Sequence, residues 1–406
     1  MKKILQNMMY VVSLVIAVGV MVALVRAGGK TAQTQNAVSN AQLPVTEENV
    51  TLDGNPAPEK ATEAEQLSEE ASETEKETTL PIEDAETENA EVIPDEDTTI
   101  IFTGDVLFAN AFKAGYDAKG IDGVISEELL TELTSADILM VNQEFPFGET
   151  GEPVANKQYT FQCSPSYVTA LKEMGVDVVS LANNHVLDYG KESLLETFAT
   201  LDNAGILYGG AGETVERAEE VQVIEVNGRK YGFLAVSRVV PTGDWKVENS
   251  VPGVFSCYDD NRLIELVEQA SAECDFLAVY PHWGVEHASY PEDYQTKIAE
   301  RCLAAGADVV VGSHTHCLQG VTFIEDKPVC YSLGNFVFGQ NIDRSAILKV
   351  TIAADGTVSY RYLPVYATGG VTYLAADEKA EEICTYLNDI SVGATVASDG
   401  EINKKN

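Results

Sequence analysis

The 406-residue chain has five histidines: His185, His282, His287, His314 and His316. Each follows an apolar run that reads as a strand and sits in a polar or glycine-containing turn. In α/β sheets, ligands gather at the carboxyl ends of strands, so this shared placement predicts convergence on one crevice. The neighbouring residues suit a metal centre. Phe102-Thr103-Gly104-Asp105 ends one run on a carboxylate, and Val141-Asn142-Gln143-Glu144 ends a second on another. A third run closes with Asn183, Asn184 and His185, and two more close with His282 and with His314-Thr315-His316. Carboxylate, amide oxygen and imidazole together suit divalent Mn, Fe or Zn; without thiolates the set is not a structural zinc site. The His-x-His pair supports convergence on the expectation that it is extended, because alternate side chains of an extended segment share a face. Taken singly, His-x-His is a common spacing and Gly-Asp a weak signal.

Several of these residues also have a purely structural reading. Asp105 is either a ligand or a turn residue. Asn142 either bonds the strand end or touches substrate, and Asn183 either caps its turn or touches substrate. Asn335, in Ser332-Leu333-Gly334-Asn335-Phe336, reads as a residue that orients a ligand loop from behind. Asp188 and Tyr189 read as the start of a helix at 191. Trp283, Phe145, Phe147, Phe336 and Phe338 read as core or rim packing before a binding platform.

The elements that must position these groups begin at Thr98. Strand-like runs cover 99–102, 137–141, 177–181, 231–236, 275–280, 308–312 and 329–332, with helical patterns at 165–174, 191–204, 259–273 and 292–305. Gly175, Gly205 and Gly306 follow three of those helices, where a left-handed C-terminal cap is expected. Apolar strands separated by helices predict an α/β domain with a largely buried sheet. Alternating segments at 346–353 and 358–364 predict an antiparallel hairpin around Asp355-Gly356.

The rest of the chain is of different character. Lys2 and Lys3 precede Met8–Val25, an uncharged and mostly apolar stretch near the lower limit for crossing about 30 Å of hydrocarbon. It predicts an uncleaved signal anchor within 1–30, with everything after it outside the cytoplasm. Residues 31–97 contain no aromatic residue and are dense in Glu, which predicts a disordered acidic linker that lifts the domain off the membrane. With 64 acidic and 26 basic residues, a net charge of -38, the surface is expected to repel DNA, RNA and anionic lipid headgroups, so no nucleic-acid partner is expected and an acidic polymer would need a bound cation or a local basic pocket. The seven cysteines are odd in number and form no CxxC pair, so they read chiefly as buried apolar thiols.

As an ordered set the motifs are far more specific. GDVLF, VNQEFPF, DVVSLANNHVLDYG, YGGAG, PHWGVEH, GADVVVGSHTHCLQG and YSLGNFVF resemble the successive blocks of the CapA capsule-synthesis (poly-γ-glutamate) family. That family is a branch of the calcineurin-like metallophosphoesterase superfamily. The resemblance covers residues 98–370 and leaves 371–406 as a C-terminal helix and tail. It implies a double β-sheet sandwich flanked by helices (α-β-β-α) with two divalent metal ions near the strand ends. Asp105 would ligate the first metal, Glu144 would bridge both, Asn184, His282 and His314 would hold the second, and His316 would complete the first. His185 would be the catalytic acid that protonates a leaving group or steadies a phosphoryl oxygen. Implied partners are poly-γ-glutamate or another cell-envelope polymer, and membrane synthase subunits.

Two departures from the superfamily stand out. Leu107 replaces a histidine two residues after the first Asp, and Glu144 replaces an Asp. The first metal site therefore lacks one nitrogen ligand. His287 stands where an aromatic is common, as a substitute donor or a substrate-facing residue. The resemblance leaves two readings open: a metal-dependent hydrolase or transferase acting on a phosphoester or a polymer amide linkage, or a non-catalytic assembly subunit that keeps the metal for its fold.

Overall fold

The computed structural model describes residues 96–405, so the expected anchor in 1–30 and nearly all of the expected linker 31–97 lie outside the described residues. The run Thr98–Val106 (β1), rich in β-branched residues, is buried almost throughout, as a strand with neighbours on both sides must be. Parallel strands Ile138–Gln143 (β2), Val178–Ser180 (β3) and Leu207–Gly209 (β4) follow on one side of it. The short strand Ala211–Gly212 (β5) then leads to a second sheet through Gln222–Val226 (β6) and Arg229–Ser237 (β7). After Gly253–Val254 (β8), which pairs with β5, that sheet gains Phe276–His282 (β9), Val309–Val311 (β10), Leu318–Ile324 (β11) and Lys327–Leu333 (β12). Asn335–Val337 (β13), Ile342–Ile352 (β14), Val358–Thr368 (β15) and Val371–Leu374 (β16) return to the first sheet, and Ala394–Val396 (β17) pairs with Ile402–Lys404 (β18).

The larger sheet has eight strands in the order β16-β15-β14-β1-β2-β3-β4, with β13 also paired to β1; the smaller has six, β11-β12-β10-β9-β7-β6. Each sheet is parallel at its centre, through β1-β2-β3-β4 and through β7-β9-β10-β12. The β14–β15 pair is the expected late hairpin.

Strand alternation assigns the two faces of the smaller sheet. Tyr231, Phe233, Phe276, Ala278, Tyr280, Val309 and Val311 join the core shared with the larger sheet. Their alternates Leu234, Val236, Leu277, Val279 and Val310 join a separate core with Leu263, Val267, Ile298 and Cys302 of the helices Asn261–Ser271 and Asp293–Ala304. Phe102 of β1 meets Phe233 of β7 across the sheets at 6.1 Å between ring centres. Leu129 and Leu133 of the helix Glu127–Thr134, and Leu194, Phe198 and Leu201 of the helix Gly190–Ala204, also join the shared core. Sheets and helices packed together give the mixed α/β domain expected from the alternation of strand-like and helical runs.

Local signals place the helix ends. Ser126 Oγ accepts from Leu129 N–H at the start of the helix Glu127–Thr134. A capping box of Glu292 and Gln295 starts Asp293–Ala304. Gly205 adopts φ 73° and caps Gly190–Ala204 as predicted.

The segment read as a C-terminal helix and tail contains the helix Asp377–Ile390 and also β16, β17 and β18. Ile383, Cys384 and Leu387 of that helix are buried in the shared core. All seven cysteines are free, and burial pushes the thiols of Cys163, Cys257 and Cys330 up to about 12. Those thiols act as small apolar groups. Among the described residues no helix is long and apolar enough to cross a membrane.

Candidate metal centre

The carboxyl ends of β1, β2, β3, β9 and β10 meet, and the predicted site residues lie there. The meeting depends on a close approach at the end of β1. A Cβ on Gly104 would lie 1.8 Å from the Gly334 carbonyl oxygen, so only glycine lets the Leu333–Asn335 turn close over the strand. That turn accepts Asp105 N–H through the Gly334 carbonyl and carries Asn335, whose Oδ1 lies 2.9 Å from His316 Nδ1.

Asp105 lies within β1 and is fully buried, so it is not a turn residue. Its carboxylate accepts from Asn142 Nδ2 at 2.8 Å and from the backbone N–H of His314, and lies 3.3 Å from His316 Nδ1. His282 ends β9 with Nε2 2.7 Å from Asn184 Oδ1 and 3.6 Å from Glu144 Oε1. Its Nδ1 faces Ser313 Oγ at 3.0 Å. Two donor groups result, each with its ligand atoms within 4.8 Å of one another: Glu144, His282 and His314, and Asp105, Glu144 and His316. Glu144 belongs to both.

Three atoms show that this protein-only network is incomplete. Both carboxylate oxygens of Glu144 and Nδ1 of His314 are buried without a hydrogen-bond partner. A buried, unpaired carboxylate costs several kcal/mol. A divalent cation removes that cost, and the donors facing the gap are those that bind one. The buried cluster is therefore compatible with divalent metal.

The titration shifts agree. Burial, then the charge of Asp105, raises the Glu144 carboxyl well above the usual range. Burial lowers His282 well below its ordinary value and His314 to about 4, so both imidazoles are neutral and free to ligate at neutral pH. For His316 burial acts downward, but the Glu144 and Asp105 carboxylates outweigh it and lift the ring to about 10. The metal-free cluster thus keeps at least one proton at pH 7. A cation supplies the same positive charge and displaces it, so binding must release protons. Below pH 10 each proton released makes apparent affinity rise about tenfold per pH unit. Titration calorimetry in two buffers of different ionisation enthalpy checks this, and metal uptake without proton release would contradict the arrangement.

The convergence of His314 and His316 has a different origin from the one expected. Both rings do reach the cluster, but His314 has φ 98° and His316 φ 57°, so the segment is not extended. Two non-glycine residues in the left-handed region are costly, and such strain is found mostly at functional sites. His287 also has a positive φ, but it is exposed and in neither donor group; its ring centre lies 6.2 Å from that of His316. Asn142 and Asn183 are fully buried and hold other site groups: Asn183 Nδ2 donates to Asn142 Oδ1, and Asn183 Oδ1 accepts from His185 N–H. Trp283, Phe145, Phe147 and Phe336 are core; Phe338 packs 5.0 Å from the His316 ring. Leu107 is buried and offers no donor.

His185 lies outside both donor groups. Its Nδ1 is 2.7 Å from Asp188 Oδ2, its ring packs 4.8 Å from Phe161, and burial holds its pKa below the ordinary value. Asp188, read from sequence as a helix start, is instead a buried partner of His185. Three-residue spacing after His185 was the available signal. Lys157 was not foreseen at all: its Nζ contacts Asp188 Oδ1 and the Asn184 carbonyl and lies 3.1 Å from His185 Nδ1. A lone lysine in a polar loop carries no motif.

Residues 99–340 match the family model described as bacterial capsule synthesis protein PGA_cap. The chain is 28% identical over 286 residues to the PGA biosynthesis protein CapA of Bacillus subtilis (strain 168), covering 69% of this chain and 74% of that one. It is also 28% identical over 279 residues to the capsule biosynthesis protein CapA of Bacillus anthracis, covering 66% and 67%. Among solved structures, the NAD nucleotidase of Haemophilus influenzae shows a distant likeness, with a TM-score of 0.40 and 11% identity over 73% of this chain and 63% of that one.

Proposed function

Because this chain belongs to the family of bacterial capsule synthesis proteins, we propose that it serves the synthesis, export or anchoring of poly-γ-glutamate at the cell envelope, and that it works through a metal centre. The observation that carries the metal part is Glu144, buried between two sets of donors with both oxygens unpartnered. In this reading Asp105, Glu144 and His316 would hold one divalent ion, and Glu144, Asn184, His282 and His314 would hold a second, as the resemblance to calcineurin-like metallophosphoesterases implies. Bound there, such ions would lower the pKa of a coordinated water and offset charge on attacking and leaving oxygens.

The chain's own groups supply the rest. Asp188 accepts the Nδ1 proton of His185 and so fixes the tautomer, which leaves the Nε2 lone pair to take a proton from an attacking water and then pass it to a leaving oxygen or nitrogen. Phe161 covers the imidazole and limits water at that face. Asn335 holds His316, and Asn142 holds both Asp105 and His282, so the ligands stay aimed at the gap. The reaction this suits is hydrolysis or transfer at a phosphoester or at an amide linkage of the polymer. A second reading, a non-catalytic assembly subunit that keeps the metal for its fold, is favoured by the apolar Leu107 beside the first ion's ligands.

Attachment to the membrane with the globular part outside is supported by Lys2-Lys3 and the uncharged stretch Met8–Val25. Synthase subunits in the same membrane would then be its neighbours. Protease added to intact protoplasts should digest the globular part, and its protection would overturn the orientation. In a strain lacking its own copy of this protein, the wild type should restore surface polymer and His314→Ala should not. Full restoration by His314→Ala would refute a metal-dependent role in capsule synthesis.

A further inference from the structure

Leading away from His185, cations alternate with aromatic rings. Lys157 Nζ lies 5.1 Å from the centre of the Trp245 ring. The next residue in the chain, Lys246, has its Nζ 4.9 Å from the Tyr258 ring. On that same ring lies the Arg238 guanidinium, 4.0 Å from its centre and 5.1 Å from the centre of Tyr294. The strip is tied to the strand ends that build the metal centre. Ser237 pairs with His282 across β7 and β9, and Arg238 N–H donates to the His282 carbonyl at 2.9 Å.

Lys157 is engaged by Asp188. Arg238 and Lys246 differ: among the described residues, neither side chain forms an ion pair or a hydrogen bond. Of the seven arginines among the described residues, five are in ion pairs and Arg229 donates to two backbone carbonyls, so Arg238 stands apart in having neither. Stacking occupies the faces of the guanidinium and leaves its N–H edge open, the edge that grips a carboxylate or phosphoryl group through two hydrogen bonds. The rings also restrict the long side chain beforehand, which lowers the entropy lost on binding. By strand alternation Arg238 falls on the side of Leu234 and Val236, toward the helices, whereas His282 falls on the side of Tyr280, toward the larger sheet. Arg238 therefore flanks the metal centre rather than entering it.

We propose that Arg238, Lys246 and Tyr258 form an anion-receiving subsite beside the metal centre, which takes a carboxylate of a polyanionic chain at a position removed from the linkage held at the metal. The source of the carboxylate rests on the poly-γ-glutamate reading; the subsite itself rests on the unpaired cations. The test is calorimetric titration of the full-length, metal-loaded protein in detergent with three probes at low and moderate salt. These are a short γ-linked glutamate oligomer, the γ-linked glutamine oligomer of the same length, and inorganic phosphate. The wild type should bind the glutamate oligomer, more weakly as salt rises, and should discriminate against the uncharged one. Arg238→Met should weaken that binding about tenfold to a hundredfold, the usual range for losing a charge-assisted pair, and Lys246→Met should weaken it less. Metal content and melting temperature should match the wild type in both variants. If only phosphate binds and Arg238→Met loses it, the subsite stands and the poly-γ-glutamate reading falls. Unchanged oligomer affinity in Arg238→Met, or no binding of either anion to the wild type, would overturn the subsite.

Discussion

His314→Ala is expected to strip metal from the protein and to lower its melting temperature in metal-containing buffer. The ring leaves a cluster in which Glu144 already has both oxygens unpartnered, so its loss removes a ligand and adds no compensating bond. A ligand present at a hundred times its dissociation constant stabilises a fold by about 2.7 kcal/mol, and that increment should vanish with the site. The alanine itself acts in the opposite sense in metal-free buffer. His314 is buried with its pKa held down to about 4, so below pH 6.5 the unfolded chain gains a proton that the folded chain does not. Folding with histidine is therefore penalised as pH falls from 6.5 to 4, and the alanine variant escapes that penalty. Thermal melts with metal and with chelator, at pH 5 and pH 7, separate the two effects. A variant that melts with the same metal-dependent increment as the wild type would remove His314 from the ligand set.

His185→Ala is expected to behave in the opposite way. The imidazole belongs to neither donor group, and its contacts are Asp188, Lys157 and Phe161. Metal content should therefore stay at the wild-type level. If the protein is a hydrolase, turnover of a phosphodiester probe should fall by about 10²–10⁴, the contribution of a positioned acid or base. Asp188→Asn should also slow turnover, because an amide cannot hold the same tautomer or balance a positive ring. Lost metal in His185→Ala would make the ring a ligand; unchanged turnover with full metal would deny it the role of acid. A wild type with metal and no turnover, whose His185→Ala variant still supports surface polymer, would support the assembly-subunit reading.

Much of this was legible in the chain. The runs around Ile138–Gln143, Arg229–Ser237 and Phe276–His282 are apolar on both faces and became central strands. Gly205 marked a helix end because only a left-handed residue continues the chain there. The ligand types at strand ends predicted convergence, and the donor atoms of Asp105, Glu144, His282, His314 and His316 lie together. What failed was reasoning that assumed regular local structure. His314 and His316 converge through two left-handed residues, a conformation that no propensity favours and that only the surrounding packing enforces. Lys157 joins the site from a loop distant in sequence, and a burial that depends on tertiary contacts leaves no local pattern. The strand Val371–Leu374 was missed because four residues, of which only Thr372 is buried, carry too little alternation to stand out.

Glu144 is the residue on which the account depends, since it alone lies in both donor groups. Metal per chain should be measured on the full-length protein purified without chelator, for the wild type and for Glu144→Gln. The account predicts divalent metal in the wild type and its loss in the variant, with the fold retained in metal-free buffer because the amide fills the same space. A wild type that takes up no divalent metal, or a Glu144→Gln variant that holds the full wild-type amount, would contradict it.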